Sequence, residues 1–327
     1  MAVILIHTTT RTLEASAFNV AGYSWTLFLN QISRFAVPLF FLISGMVLEI
    51  SFHQNGYWPY LKKRFTKIFF PYIFWSLVYY YFVYSQNDDS LLKVFLTGNA
   101  SYQLYFIPTL FIYYLIFPFL HKAYNIISNK YFLAMIFLLQ IFFQSYDYYI
   151  KYIELSDPIR IALMSYSLFI IGIIAARNID KINMFIKKRK TVLFLLSGTF
   201  GFLVFWEGRS RYLSTGNYLS YYSQWRPSVL IYTILVGLVL YYIFEYLVKE
   251  NLYISRFSKH SFFVFFVHVG ILEFLWTHIG SKVFTLLNGN VLGSWFFDPI
   301  FFIILSATSF VIARFVHRIP ALHKFVG

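Results

Sequence analysis

The sequence predicts an all-α, polytopic transmembrane bundle, and three observations carry that prediction. Apolar runs of about 20 residues recur along the whole chain, the length a helix needs to cross a bilayer. Charged residues make up only 12% of the 327 positions, about half the share of a soluble domain. The strict alternation of outer-membrane barrel strands is missing. The runs fall near 27–50, 67–85, 104–120, 131–146, 159–177, 191–206, 228–248, 261–279 and 296–315. Ahead of them stands a stub, MAVILIHTTT. It is too short to cross and lacks the n-region, h-region and cleavage site of a signal peptide. It reads as the outer end of a first helix that begins upstream of Met1, which makes ten helices with the first truncated in this chain. No linker, repeat or low-complexity run separates the segments, so residues 1–327 read as a single membrane-embedded domain.

Composition narrows the chemistry. The chain has no Cys, which excludes disulfides, thiol catalysis and Cys-based metal sites. No zinc motif, nucleophile elbow or P-loop appears, so no metal site is expected. The formal net charge of +14 could suit nucleic acid, but the cations sit in short stretches between apolar runs. Anionic lipid headgroups are therefore the expected counter-ions, and no nucleic-acid partner is expected. Most Lys and Arg fall at 62–67, 122–130, 177–190, 249–259 and 314–324, whereas Asp89, Asp147, Glu154 and Asp157 gather on the opposite side. The positive-inside rule then makes both termini cytoplasmic. The many Phe, Tyr, Ile, Asn and Lys residues suggest AT-rich coding, hence a multi-pass protein of a bacterial plasma membrane.

A few polar residues stand where lipid should forbid them. Arg34, inside SRFAVPLFFLISG, lies about 10 Å into its helix at 1.5 Å per residue, and Pro38 four residues later denies its carbonyl a helical donor. It either snorkels to the headgroups or lines a polar cavity; the freed carbonyl favours the cavity. His7 falls at a similar level, four residues before Arg11. The run LKKRFTKIFFPYIFWS puts Lys62, Lys63, Arg64 and Lys67 together, as a positive-inside anchor or as a cradle for the phosphates of a nucleotide-containing ligand. In HSFFVFFVHVGILEF, His268 and Glu273 are intramembrane titratable groups, and these are functional candidates by default. Five residues apart on a helix, they diverge by about 140° and are not expected to pair.

These phrases carry a resemblance. A stub helix with His, then RFAVPLFFLISG, KRFTKIFFPYIFWS, LYFIPTLFIYYLIFPFL and, late, SFFVFFVH, resemble in order the acyltransferase-3 family of integral-membrane acyltransferases. Within it the chain is similar to the stand-alone group containing the biofilm intercellular-adhesion protein C. The resemblance implies transfer of an acyl group, often acetyl, from acyl-CoA to a hydroxyl of an extracytoplasmic polysaccharide, with acyl-CoA as co-substrate and no permanently bound cofactor. It makes His7 the general base or acyl carrier. The family's Arg eleven positions earlier would precede Met1. Its pair of Arg separated by two residues maps to Arg64 and Lys67, which would hold the phosphates of acyl-CoA. The pantetheine arm would pass His268 on its way to His7 and Arg34, with Arg34 steadying an oxyanion or orienting the acceptor. Glu273 would touch substrate, and Trp206, Tyr221, Tyr222 and Trp225 would stack on sugar rings. Membrane lipids, the glycan and its synthesis or export machinery are the implied partners. A glycan exporter or flippase is the competing reading, although the matched broken helices of a duplicated transporter are not seen.

Overall fold

The structure is a computed structural model describing residues 1–16, 22–55, 57–84, 89–215, 223–248, 252–287 and 291–319. Side chains at 53–55, 57, 60, 63, 252–257, 291–292 and 294 are excepted. Tyr221, Tyr222 and the Lys63 side chain therefore lie outside the described residues. As expected, the described residues are helical and hold no strand.

Fourteen α-helices follow in order among them. α1 spans Ala2–Ala15, α2 Tyr23–Ile32, α3 Ala36–Asn55, α4 Tyr57–Val78, α5 Leu91–Thr97, α6 Phe106–Lys122 and α7 Tyr124–Ile127. Then come α8 at Lys130–Ser145, α9 at Asp157–Arg177, α10 at Ile179–Thr215, α11 at Pro227–Tyr242, α12 at Leu252–Leu275, α13 at Ser281–Leu287 and α14 at Val291–Val316. Wide π-turns finish α4, α8, α11 and α12.

Among the described residues, seven helical stretches are long and apolar enough to cross a membrane, and Phe106–Lys122 is a shorter apolar helix. That count falls below the ten expected, for two reasons visible in the sequence. α1 has only 14 residues, and α4 carries Lys62, Lys63, Arg64 and Lys67 within the helix rather than in a loop before it. The basic run at 187–190 is likewise helical. It lies inside α10, whose 37 residues extend about 55 Å at 1.5 Å per residue. Long basic side chains are good helix formers and can reach water from a helix that overshoots the hydrocarbon.

The largest core cluster is aromatic and aliphatic, built from α3, α4, α6, α9 and α12 around Phe41, Tyr79, Phe117, Phe169 and Phe266. A second joins α1, α12 and α14 around Ile4, Leu272 and Leu305. Among the described residues, three buried ion clusters pin helices across this apolar packing. Glu49 of α3 pairs with His121 of α6 at 2.9 Å and with Arg177 of α9 at 2.5 Å, and the Arg177 guanidinium lies over the Tyr124 ring. Asp147 accepts from Arg160 Nε at 2.9 Å. Arg226, fully buried, meets Glu207 of α10 at 3.4 Å. A buried charge is tolerable only when so compensated.

The most extensive helix pairing is α3 against α9, and glycines make it possible. A Cβ at Gly45 would run into the Phe169 carbonyl oxygen, and one at Gly172 into the Leu42 carbonyl oxygen. The two backbones touch through these positions, as small residues allow in membrane helix packing. Gly172→Ala is expected to cost at least about 1–3 kcal/mol by overpacking, seen as loss of the monodisperse peak and a lower melting temperature in detergent. Gly198→Ala, where the added methyl meets open space, should leave both unchanged.

Candidate active site

The chain breaks at Arg34 itself. Ser33–Phe35 is a turn between α2 and α3, so Pro38 sits in the first turn of α3, where N–H groups have no helical acceptor to lose. The break expected at Pro38 is thus corrected to Arg34. Arg34 is 4% exposed and borders a cavity of about 400 Å³, so it does not snorkel. That volume is in the range of small-molecule sites.

Several segments build this cavity. α1 contributes His7, Arg11 one turn on and Glu14 two turns on; the α2–α3 turn contributes Arg34 and α3 Val37 and Phe40; the 102–106 segment contributes Tyr102 and Tyr105; Gln224 and, from α12, Phe265 complete it. The 102–106 segment is brought in by Gly98, which caps α5 at φ 81° and lets the chain fold back over Tyr105. Tyr105 Oη in turn accepts from Gln224 Nε2 at 2.6 Å.

His7 is half-buried. Its ring lies 4.8 Å from that of Tyr102 and 5.3 Å from that of His268, centroid to centroid. His268 is buried, and its Nδ1 is 2.9 Å from the Val264 carbonyl oxygen. A carbonyl can only accept, so Nδ1 carries the proton and Nε2 of the neutral ring is an acceptor. That Nε2 has no hydrogen-bond partner among the described residues. Arg11 bonds Glu14 at 3.0 Å and forms a short ion pair with Glu273. Tyr84 and Tyr102 donate to the same Glu273 oxygen at 3.3 Å each. His268 and Glu273, divergent on their own helix, therefore both reach α1, one through His7 and the other through Arg11.

One amide holds these parts in register. Asn30, fully buried on α2, accepts from Arg34 Nε at 3.0 Å and Nη2 at 2.5 Å, and from Gln31 Nε2 at 3.1 Å. Its Nδ2 faces the Ile6 carbonyl at 3.2 Å and the Thr9 and Thr10 hydroxyls at 3.0 and 3.1 Å. Gln31 Oε1 accepts from Arg226 at 2.6 Å, extending the chain to the start of α11. Asp298 of α14 completes the frame, accepting from Thr12 at 2.6 Å and Thr26 at 2.5 Å.

The other expected site residues lie elsewhere. Arg64 borders a second cavity of about 290 Å³, whereas Lys67 is exposed on α4. Trp225 is buried against Phe41, ring centroids 6.0 Å apart, and edges a third cavity with Asp157 and Arg160. Trp206 is exposed on α10. Glu273 meets Arg11, Tyr84 and Tyr102. The sequence reading missed Asn30, Asp298 and Tyr102 as members of the site. Only Arg11 left a signal, one helical turn from His7.

The acyltransferase domain family matches residues 1–317. The chain belongs to the acyltransferase-3 family. No curated protein and no solved structure matches it. Membership makes the chain an acyltransferase.

For this acyltransferase-3 protein, Asn30→Ala strips Arg34 of a carboxamide acceptor and α1 of its donor. The acyl-transfer rate per mole of protein is expected to fall about 10–100-fold, the scale of leaving buried polar groups unpaired, with membrane levels unchanged. Asn30→Asp restores the acceptor alone and should recover only part of the rate.

Proposed function

We propose that this acyltransferase moves an acyl group, acetyl in the simplest case, from acyl-CoA on the cytoplasmic face to a hydroxyl of a polysaccharide on the outer face. The observation that carries the reading is the convergence of His7 and Arg34, 27 residues apart in sequence, on one cavity. The reading extends to the biofilm-polysaccharide group of stand-alone family members, which the sequence resembles.

In the proposed reaction the acceptor hydroxyl gives its proton to His7 as its oxygen attacks the thioester carbonyl carbon. The resulting oxyanion is stabilised by the Arg34 guanidinium. The intermediate collapses with loss of the CoA thiolate, which takes the proton back from the His7 imidazolium. An ester and free CoA thiol result. His268, its tautomer set by Val264, borders His7 as an acceptor and can steady the imidazolium. Arg64, edging the second cavity, is the cation best placed for the CoA phosphates, with Lys67 as an outer point charge. Glu273 acts by holding Arg11 rather than by touching sugar. Trp225 edges a third cavity with Asp157 and Arg160, which has the mixed aromatic and charged lining suited to a glycan.

The deciding measurement is ester content of the surface polysaccharide, with and without the protein. Loss of ester from a glycan still present at the surface supports acyl transfer; loss of the surface glycan itself supports the exporter. His7→Ala should abolish esterification, and Arg34→Ala should lower it by about two orders of magnitude. Arg34→Lys should rescue poorly, because an ammonium lacks the planar fork.

Sidedness has its own test. The native chain has no Cys, so a single introduced thiol is a clean probe. Both Lys188 and Lys151 are exposed. Lys188→Cys is expected to react with an impermeant maleimide only in inside-out vesicles, and Lys151→Cys only in intact cells. On the donor side, Arg64→Ala with Lys67→Ala should raise the KM for acyl-CoA with kcat little changed, and an unchanged KM would return both residues to membrane anchoring.

A further inference from the structure

The cavity of His7 and Arg34 and the cavity of Arg64 share three lining residues, Phe40, Phe106 and Phe265. The helices that carry them show how the two spaces are stacked. α3 gives Val37 to the first cavity, and Ile43, Ser44, Val47 and Leu48 to the second. α6 gives Phe106 to both, then Leu110 and Tyr114 to the second only. α12 gives Phe265 to both, and Ser261 and Phe262, earlier in its sequence, to the second. The second cavity therefore lies about two turns further along α3 and α6, roughly 10 Å at 1.5 Å per residue. The three rings stand at the joint.

They stand in a row. Phe106 is 5.7 Å from Phe40 and 6.1 Å from Phe265, centroid to centroid, which is contact distance for aromatic pairs. Phe265 continues the row towards the chemistry, 6.4 Å from the His268 ring. The spaces on either side differ in character. The first holds an imidazole, two guanidinium groups and a carboxyl group. The second is walled mainly by Leu, Ile, Val and Phe, with Arg64 as its cation. A polar hydroxyl-bearing acceptor suits the first, and an uncharged chain ending in an anionic head suits the second.

We propose that Phe40, Phe106 and Phe265 form a septum between a donor chamber and the reaction cavity, and that their bulk sets the length of acyl chain the enzyme transfers. The proposal rests on the acyl-CoA reading and adds to it a gate and a specificity determinant. The thioester reaches His7 only by displacing a ring, and the second cavity beneath the septum houses the acyl-pantetheine chain. Short acyl groups pass the row of rings, and longer ones are excluded by it. The discrimination is a matter of methylenes against apolar surface, where each is worth roughly one order of magnitude or more.

The test compares acetyl-, butyryl- and hexanoyl-CoA as donors in inside-out vesicles from cells that make the native surface glycan. Radiolabelled acyl groups are counted in the glycan, and protein level is measured for each variant. Phe106→Ala and Phe265→Ala are expected to raise the butyryl-to-acetyl ratio about tenfold. Phe40→Ala should do so to a smaller extent. Phe40 is 42% exposed, so its truncation leaves the core intact and keeps the test alive if a deeper variant does not accumulate. An active wild type with an unchanged donor ratio in every variant that accumulates overturns the septum and leaves the acyl-CoA reading standing. A wild type that transfers no acyl group from any of the three donors removes the acyl-CoA reading, and the septum with it.

Discussion

A single carboxamide keeps the polar half of this molecule together. Asn30 has no contact with solvent, and lipid supplies no hydrogen bonds to polar groups that drift apart. Its oxygen gathers Arg34 and Gln31, and its nitrogen gathers three acceptors around the turn of α1 that carries His7. The position of α1 along α2 is thereby coupled to the aim of the Arg34 guanidinium. Apolar packing alone would not fix that register, because one aliphatic row slides over another at little cost. The hydroxyls of Thr12 and Thr26, both on Asp298, add a second point of reference against α14, and two points suffice to prevent rotation.

The broad architecture could be read directly from the sequence because apolar length and the scarcity of charge are local properties. Arg34 announced itself for the same reason, since a charge inside an apolar run needs a local explanation. The partners of these residues were not legible. Arg11 meets Glu273 across 262 positions and Asn30 meets Thr9 across 21, and no spacing rule links residues on separate helices. Helix ends in the basic stretches were misplaced as well. Lys and Arg look like loop residues to a hydropathy reading, yet they favour helix and let α4 and α10 continue through them. Asn30 escaped because an amide within an apolar run carries no charge to flag it. His7 and His268 were each visible as residues, but only the fold brings their rings within 5.3 Å, centroid to centroid.

Charge in this protein is placed to separate two tasks. The clusters around Glu49, Asp147 and Glu207 lie outside the lining of the reaction cavity, and their cations are met by carboxylates. The cavity itself gathers Arg11 and Arg34 beside His7 and two phenols, where transient negative charge could be received. Arg11 belongs to both groups, since its pairing with Glu273 ties α1 to α12 while its side chain edges the cavity.

The glycine seam between α3 and α9 has a consequence for how such a bundle can change shape. Where main chain rests on main chain, no side chain is left to switch rotamer and absorb a displacement. The two helices therefore travel as one body, a stator against which other helices must move. One wall of both stacked cavities is α3, so that wall is immobile relative to α9. Any widening has to come from the other lining helices, α6 and α12 with Phe106 and Phe265 among them. The fold thus divides its cavity lining into a fixed side and an adjustable one, and a lineage adapting to a bulkier donor would accumulate its changes on the adjustable side.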